Sequence, residues 1–284
     1  MPELPGDFAV VVAAALIEDI GNGDISAALI PADAQSTAQV ISREDAVLCG
    51  TAWFNEVFRQ LDAHIVVDWQ VGDGDTICTN QTLCSLTGNS RSLLSGERSA
   101  LNLLQTLSAT ATQTRKFEDA VSGTGAVILD TRKTLPGLRT AQKYAVTCGG
   151  GSNHRMGLFD AFLIKENHIL AAGSIAAAVA SARQQHAELK VEVEVENLDE
   201  VRQALDAGAD QLLLDNMGLA TLREAVALNR KKNNGYARLE ASGGISLERV
   251  RAIAETGVDF ISVGSITKDI HAVDLSMRFI GNVK

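Results

Sequence analysis

Between Ala126 and Val263 short apolar runs alternate with helical segments across short connections, six strands in all, a pattern that predicts a parallel sheet covered by helices. The strands read 126–130, 161–165, 190–196, 211–215, 238–241 and 260–263; the helices read 137–148, 174–186, 199–207, 220–229 and 247–255. Gly208 and Gly257 stand just past two of these helices, where a C-terminal cap calls for a left-handed residue. Such alternation closes into an α/β barrel or lies open as a doubly wound sheet. In both, chemistry gathers at the carboxyl ends of the strands.

The stretch 129–168 places charge at those ends. Asp130, Arg132 and Lys133 follow the first strand, and Lys165 and Glu166 follow the second. Between them come a helical segment, the glycine-rich turn 148–152 and the pair His154-Arg155. The chain as a whole carries a formal charge of −10, which argues against nucleic acid as a partner because phosphate neutralisation needs a basic face. In so acidic a protein, Arg98, Arg132, Lys133, His154, Arg155 and Lys165 near strand or helix ends point to a local cationic pocket for an anionic ligand; scattered surface cations are the plainer alternative.

The strand 190–196 reads K-V-E-V-E-V-E. Period-two geometry sends Val191, Val193 and Val195 to one face and Glu192, Glu194 and Glu196 to the other. With the valines against the helix layer, the glutamates face inward and require cations or a metal opposite; Lys165, Arg155 and Lys133 are the candidates. An edge strand with one wet face is the alternative. No GxGxxG or GxxxxGK[ST] fingerprint follows the first strand. Glycine loops appear instead after the last two strands, Ser242-Gly243-Gly244-Ile245 and Val263-Gly264-Ser265, where β/α barrels commonly bind phosphate through backbone N–H groups.

A chain of 284 residues exceeds a bare barrel, so a smaller second domain is expected. The first part has a helix over 8–20, an acidic glycine turn over 18–24, strands over 38–42, 46–49, 65–69 and 82–86, and a helix over 51–61. It reads as a small, partly antiparallel α/β domain. The turn 71–75 is like those of biotin- or lipoyl-carrier hairpins but lacks the lysine that carries the group. A long helix over 95–121 places Arg98 in its first turn, where the dipole disfavours a cation, which points to a ligand or partner contact; an exposed arginine is the equal alternative. The domains then divide as 1–115, 116–270 and a C-terminal segment 271–284 that packs back on the first. Cys49, Cys78, Cys84 and Cys148 show no CxxC spacing and read as buried small residues in a reducing compartment. With no cationic-then-apolar leader and no apolar run of about 20 residues, a cytoplasmic protein off the membrane is expected.

Taken in order, these motifs resemble those of the quinolinate phosphoribosyltransferases, also called nicotinate-nucleotide diphosphorylases (carboxylating). The matching residues are Glu97 to Asn102, Asp130 to Thr134, Pro136 to Arg139, the Gly149 to Arg155 segment, Lys165 to His168, Glu192 to Glu194, Leu214 to Asn216, Ser242 to Ile245, and Val263-Gly264. The resemblance spans essentially the whole chain. It implies an incomplete parallel α/β barrel with an N-terminal sandwich-like domain, and a homodimer with shared active sites. It also implies conversion of quinolinate and 5-phosphoribosyl 1-diphosphate to nicotinate mononucleotide, diphosphate and carbon dioxide, with magnesium.

By the same resemblance Arg98, Arg132, His154, Arg155 and Lys165 hold the pyridine dicarboxylate. Lys133, Glu194 and Asp215 serve the phosphoribosyl donor, with Glu194 and Asp215 toward its metal, and Ser242, Gly243, Gly244, Val263, Gly264 and Ser265 take its 5-phosphate. One departure stands out: where the family often has A-L-T-H after the last glycine, this chain has Ser265-Ile266-Thr267-Lys268, which keeps a cation but not the histidine. Three other readings are a transferase of the same fold acting on another aromatic base, such as the molybdenum-associated homologues, a Schiff-base aldolase using Lys165, and a non-catalytic phosphosugar-binding protein.

Overall fold

The computed structural model describes residues 2–233 and 237–283. They form two compact units, Met1–Arg115 with Thr134–Gly150 and Ile266–Lys284, and Lys116–Lys133 with Gly151–Ser265. The units are therefore interleaved in sequence. The helix Arg139–Cys148, grouped above with the barrel, belongs to the first unit because Ala141, Tyr144, Ala145 and Cys148 are buried in that unit's core. The return to the first unit falls at Ile266 rather than 271, and Lys284 lies outside the described residues.

In the first unit a four-stranded antiparallel sheet runs in the order Leu275–Val283, Gln35–Ser42, Thr82–Asn89, Val66–Trp69. The central strand Gln35–Ser42 buries every second residue, as a half-covered strand must. Against it pack the helices Phe8–Ile20 and Thr51–Leu61, with Trp53 at the centre, edge-on to Phe8 and tilted against Tyr144. Asp73, in the 71–75 turn, accepts the N–H groups of Gly50 and Thr51, each at 3.0 Å, and so caps the helix Thr51–Leu61 from a distant loop. In the acidic turn, Asp24 accepts from Ser26 and Ala27 N–H and from Ser95 Oγ, all at 2.9 Å. Cys49, Cys84 and Cys148 are buried, but Cys78 is exposed just past the two-residue strand Thr76–Ile77, which is too short to cover it.

The long helix starts earlier than its apolar periodicity shows. It spans Ser90–Val121, and Asn89 Oδ1 accepts the N–H of Arg91 at 3.0 Å and of Ser92 at 3.2 Å. Arg98 is thus in the third turn, beyond the reach of the terminal partial charge, and the dipole argument for it falls.

The second unit holds a six-stranded, all-parallel sheet in the order Val127–Leu129, Phe260–Ser262, Arg238–Ser242, Gln211–Asp215, Val191–Val195, Phe162–Ile164. The two edge strands are not paired with each other, so the barrel is incomplete. The outer side of Val127–Leu129 takes up Ser152 instead, whose N–H reaches Ile128 O at 2.9 Å and whose carbonyl accepts from Asp130 N–H at 3.2 Å. Val191, Val193, Val195, Leu212, Leu214, Leu239 and Ile261 are buried on one face. Register sets Glu192 beside Gln211, Glu194 beside Leu213, and Glu240 beside both Leu213 and Phe260, so the other face carries an unusual density of polar groups. Gly208 and Gly257 have φ of 76° and 92°, the left-handed caps their positions imply.

Candidate active site

Strand direction alone puts Lys165, Glu194 and Asp215 at the carboxyl ends of three strands. Lys165 Nζ donates to Glu194 Oε2, which gives the inward carboxylate its counter-charge. The backbone of Lys165 is held as well: its N–H donates to His168 Nδ1 at 3.0 Å and its carbonyl accepts His168 N–H at 2.9 Å, at the start of the short helix Glu166–Ala172. That helix has no signal in the apolar pattern, since none of its residues is fully buried.

Asp215 is half-buried beside Ser242 in register, and its Oδ2 accepts from Asn216 Nδ2 at 2.8 Å. Asn216 adopts a left-handed φ of 54° and donates its N–H to Ser242 O at 3.0 Å, tying the two strand ends together. Gly243 follows with φ 91°, and a Cβ there would stand 2.1 Å from Asn216 Oδ1, so only glycine fits. At Gly264 a Cβ would meet Lys133 Cδ at 3.3 Å. The exposed Lys133 is thus against the second glycine loop, and its own N–H donates to Thr131 Oγ1 at 3.0 Å.

Arg132, Arg155, Lys165 and His168 line one cleft of about 470 Å³. Burial lowers the pKa of the Arg155 guanidinium, and the Arg132 charge lowers it further. Two like charges held together in a partly dry cleft favour an anion with two acceptor groups.

Deeper on the same face lies a network that the sequence reading had only begun to name. His154 Nε2 is 3.0 Å from Glu192 Oε2 and 3.5 Å from Glu240 Oε2. Gln211 Nε2 donates to Glu192 Oε1 at 2.8 Å and to Glu240 Oε2 at 2.5 Å, while Lys190 Nζ donates to Gln211 Oε1. Glu192 and Glu240 are 2% and 0% exposed. Burial pushes the Glu240 carboxyl up to about 8, aided by the neighbouring Glu192 charge. Burial also acts to raise Glu192, but the hydrogen bonds it accepts, from His154 first and then from Gln211, hold it below the ordinary range. The cations expected opposite Glu192 are thus replaced by an imidazole and an amide, and Glu196 is exposed rather than inward because the strand ends at Val195. Glu240 was missed, although a lone glutamate between Leu239 and Ala241 in an apolar strand is itself a signal of a buried polar partner.

Arg98 lies in the first unit, its side chain 59% exposed and 3.6 Å from Glu97 Oε1. Lys268 also belongs to the first unit and is held by Asp269 at 2.7 and 2.8 Å. Every other residue singled out for a site is in the second unit. Among the described residues no helix is long and apolar enough to cross a membrane.

Comparison with known proteins divides the chain once, near residue 109, and not at the interleaved boundaries of the two compact units. Residues 24–108 match the family model described as the N-terminal domain of quinolinate phosphoribosyl transferase, and residues 110–278 match its C-terminal domain. A probable nicotinate-nucleotide pyrophosphorylase [carboxylating] of Synechocystis is 41% identical over 268 residues, covering 94% of this chain and 90% of that protein. The Bacillus subtilis protein of the same description is 40% identical over 262 residues, covering 92% and 89%. The solved nicotinate-nucleotide pyrophosphorylase of Francisella tularensis superposes with a TM-score of 0.93 at 49% identity, over 98% of each chain.

Proposed function

From the premise that this chain belongs to the quinolinate phosphoribosyltransferase family, across both its domains, we propose how its own residues carry the reaction. The chain is a phosphoribosyltransferase that converts quinolinate and 5-phosphoribosyl 1-diphosphate to nicotinate mononucleotide, diphosphate and carbon dioxide in NAD biosynthesis. The observation that carries the site assignment is the meeting, on one sheet edge, of the Lys165–Glu194 pair, Asp215, the cationic cleft and the two glycine loops.

Arg132, Arg155 and Lys165 take the two carboxylates of quinolinate, and the loops at Ser242–Gly244 and Val263–Ser265 take the 5-phosphate through backbone N–H groups. Lys133, lying against Gly264, reaches the donor. The pyridine nitrogen attacks the sugar carbon as diphosphate leaves, and the positive charge that builds on the sugar is stabilised by Glu194 and Asp215. No protein nucleophile is needed. The new ring cation then accepts the electron pair left when the adjacent carboxylate departs as carbon dioxide, and a proton takes its place.

Glu194 and Asp215 offer hard carboxylate oxygens on one face at neighbouring strand ends, the donor type that magnesium prefers. Held by these two carboxylates together with the donor, magnesium would supply charge neutralisation to the leaving diphosphate. We place Arg98 in the partner's site of a homodimer, and the protein in the cytoplasm, on the family likeness and on the solvent-facing position of Arg98.

The test is product analysis after incubation with quinolinate, the donor and magnesium: carbon dioxide and nicotinate mononucleotide in equal amounts are expected. Turnover of another aromatic base without carbon dioxide release would replace the substrate. The aldolase alternative needs the Lys165 nitrogen free to attack a carbonyl, whereas that nitrogen is engaged by Glu194 Oε2, so borohydride with a carbonyl substrate should trap nothing.

A further inference from the structure

The buried network behind the cleft has a geometry that goes beyond filling space. Arg155 N–H donates to His154 Nδ1 at 2.7 Å, so that nitrogen is an acceptor and carries no proton. The ring proton is then on Nε2, which faces Glu192 at 3.0 Å and Glu240 at 3.5 Å. An imidazolium would set an Nδ1–H against the Arg155 N–H, and a flipped ring would set carbon atoms against both the N–H and the carboxylates. The backbone of His154 is fixed too, by its N–H to Asp130 Oδ1 at 2.9 Å, with Asp130 fully buried. The same three side chains, His154, Glu192 and Glu240, have the spacing of a metal site. However, the Gln211 amide aims N–H groups at both carboxylates, presenting positive hydrogens where a cation needs free lone pairs.

We propose that Glu192, Glu240 and Gln211 are positioning residues that lock the His154 imidazole as its Nε2–H tautomer, and through the Arg155 N–H to Nδ1 bond fix Arg155 at the dicarboxylate cleft. His154 then serves quinolinate through Arg155. The inference rests on the transferase reading above for its substrate, but not for its geometry. The carboxyls are not equivalent. Glu192 accepts on both oxygens, Oε1 from Gln211 and Oε2 from His154, whereas Gln211 and His154 both meet Glu240 at Oε2, and the other neighbour of its carboxyl is the Ser262 hydroxyl. An amide accepts on one oxygen only. Glu192→Gln must therefore turn an NH₂ toward either Gln211 or His154, while Glu240→Gln can keep its oxygen at the Oε2 position and place the NH₂ at the Oε1 position, away from both. The raised Glu240 pKa agrees with a neutral group at that position.

The test is ¹⁵N-histidine NMR on the full-length protein without substrate, the His154 signals being assigned among the 5 histidines by their loss in His154→Asn. Wild type and Glu240→Gln should show the Nε2–H tautomer, and Glu192→Gln should lose it. In steady-state assays Glu192→Gln should raise the quinolinate KM by about tenfold, as for loss of one charge-assisted hydrogen bond, and leave the donor KM within about twofold. An imidazolium or Nδ1–H form in wild type overturns the proposal, as does a Glu192→Gln protein with the wild-type tautomer and quinolinate KM. If Glu192→Gln does not fold, the wild-type and Glu240→Gln spectra still decide. Because the spectra need no turnover, they decide it even if quinolinate proves not to be the substrate.

Discussion

At the residue scale the site depends on where carboxylates are kept charged and where they are kept neutral. Glu194 and Asp215 bring carboxylates to neighbouring strand ends, Glu194 against Lys165 Nζ and Asp215 accepting through Oδ2 from the Asn216 side-chain amide. Glu194→Gln and Asp215→Asn preserve shape and remove that charge, so each should lower kcat by about 100-fold, roughly 3 kcal/mol of transition-state stabilisation, in steady-state assays. Unchanged kcat in both would remove them from the mechanism. Glu240 makes a separate prediction about stability. Its folded-state pKa is raised from 4.5 to about 8, so the folded protein keeps a proton that the unfolded chain gives up as pH rises through that window. The contribution is fully present below about pH 4.5 and is lost as pH rises to about 8, with a slope of at most about 1.4 kcal/mol per pH unit. Glu192, shifted down, acts in the opposite sense and only below the ordinary carboxylate range. Urea unfolding at pH 5 and pH 8 should therefore show a larger loss in wild type than in Glu240→Gln; equal losses would mean that Glu240 is ionised throughout.

At the element scale the glycine loops do different work. Gly243 is constrained by its own left-handed φ and by Asn216 at the end of the neighbouring strand, so any side chain there strains the fold before it meets a ligand. Gly264 has no such φ, and the neighbour of a Cβ there is the flexible Lys133 side chain. Gly264→Val is thus the informative variant. It should raise the donor KM several-fold by blocking backbone approach and displacing Lys133, while quinolinate affinity measured by calorimetry changes less. Equal loss of both ligands would indicate a disturbed fold. The helix Ser90–Val121 teaches the converse lesson: Arg98 is not at a helix end, so any ligand it meets must come to an exposed side chain in the middle of the helix.

At the scale of the whole molecule, the proposed dimer makes Arg98 of one chain and Lys133 of the other members of one site. Arg98→Ala and Lys133→Ala should each be inactive, and mixing them with subunit exchange should restore activity. Equal mixing gives about half heterodimers, each with one whole site of two, so recovery should reach roughly a quarter of wild type. No recovery, with exchange shown by mass-tagged subunits, would place Arg98 outside the shared site.

What the sequence by itself determined was whatever has a period or a local partner. The parallel sheet followed from six apolar runs alternating with helices, and the inward glutamates from the K-V-E-V-E-V-E alternation, because side-chain direction in a strand repeats every two residues. The cationic residues and glycine loops were legible because strand ends are marked by abrupt changes of polarity. Only the tertiary structure decided which polar groups meet. Glu240 comes to Glu192 because the strand Arg238–Ser242 lies two places away in the sheet, and sheet order has no local signature. The helix Arg139–Cys148 joined the first unit, and Asp73 capped a helix more than twenty residues earlier in the chain, for the same reason. The start of the long helix at Ser90 was set by the Asn89 side chain, not by its apolar stripe. Periodicity fixes the face a residue shows; the choice among partners on that face rests on burial and hydrogen-bond satisfaction across strands far apart in sequence.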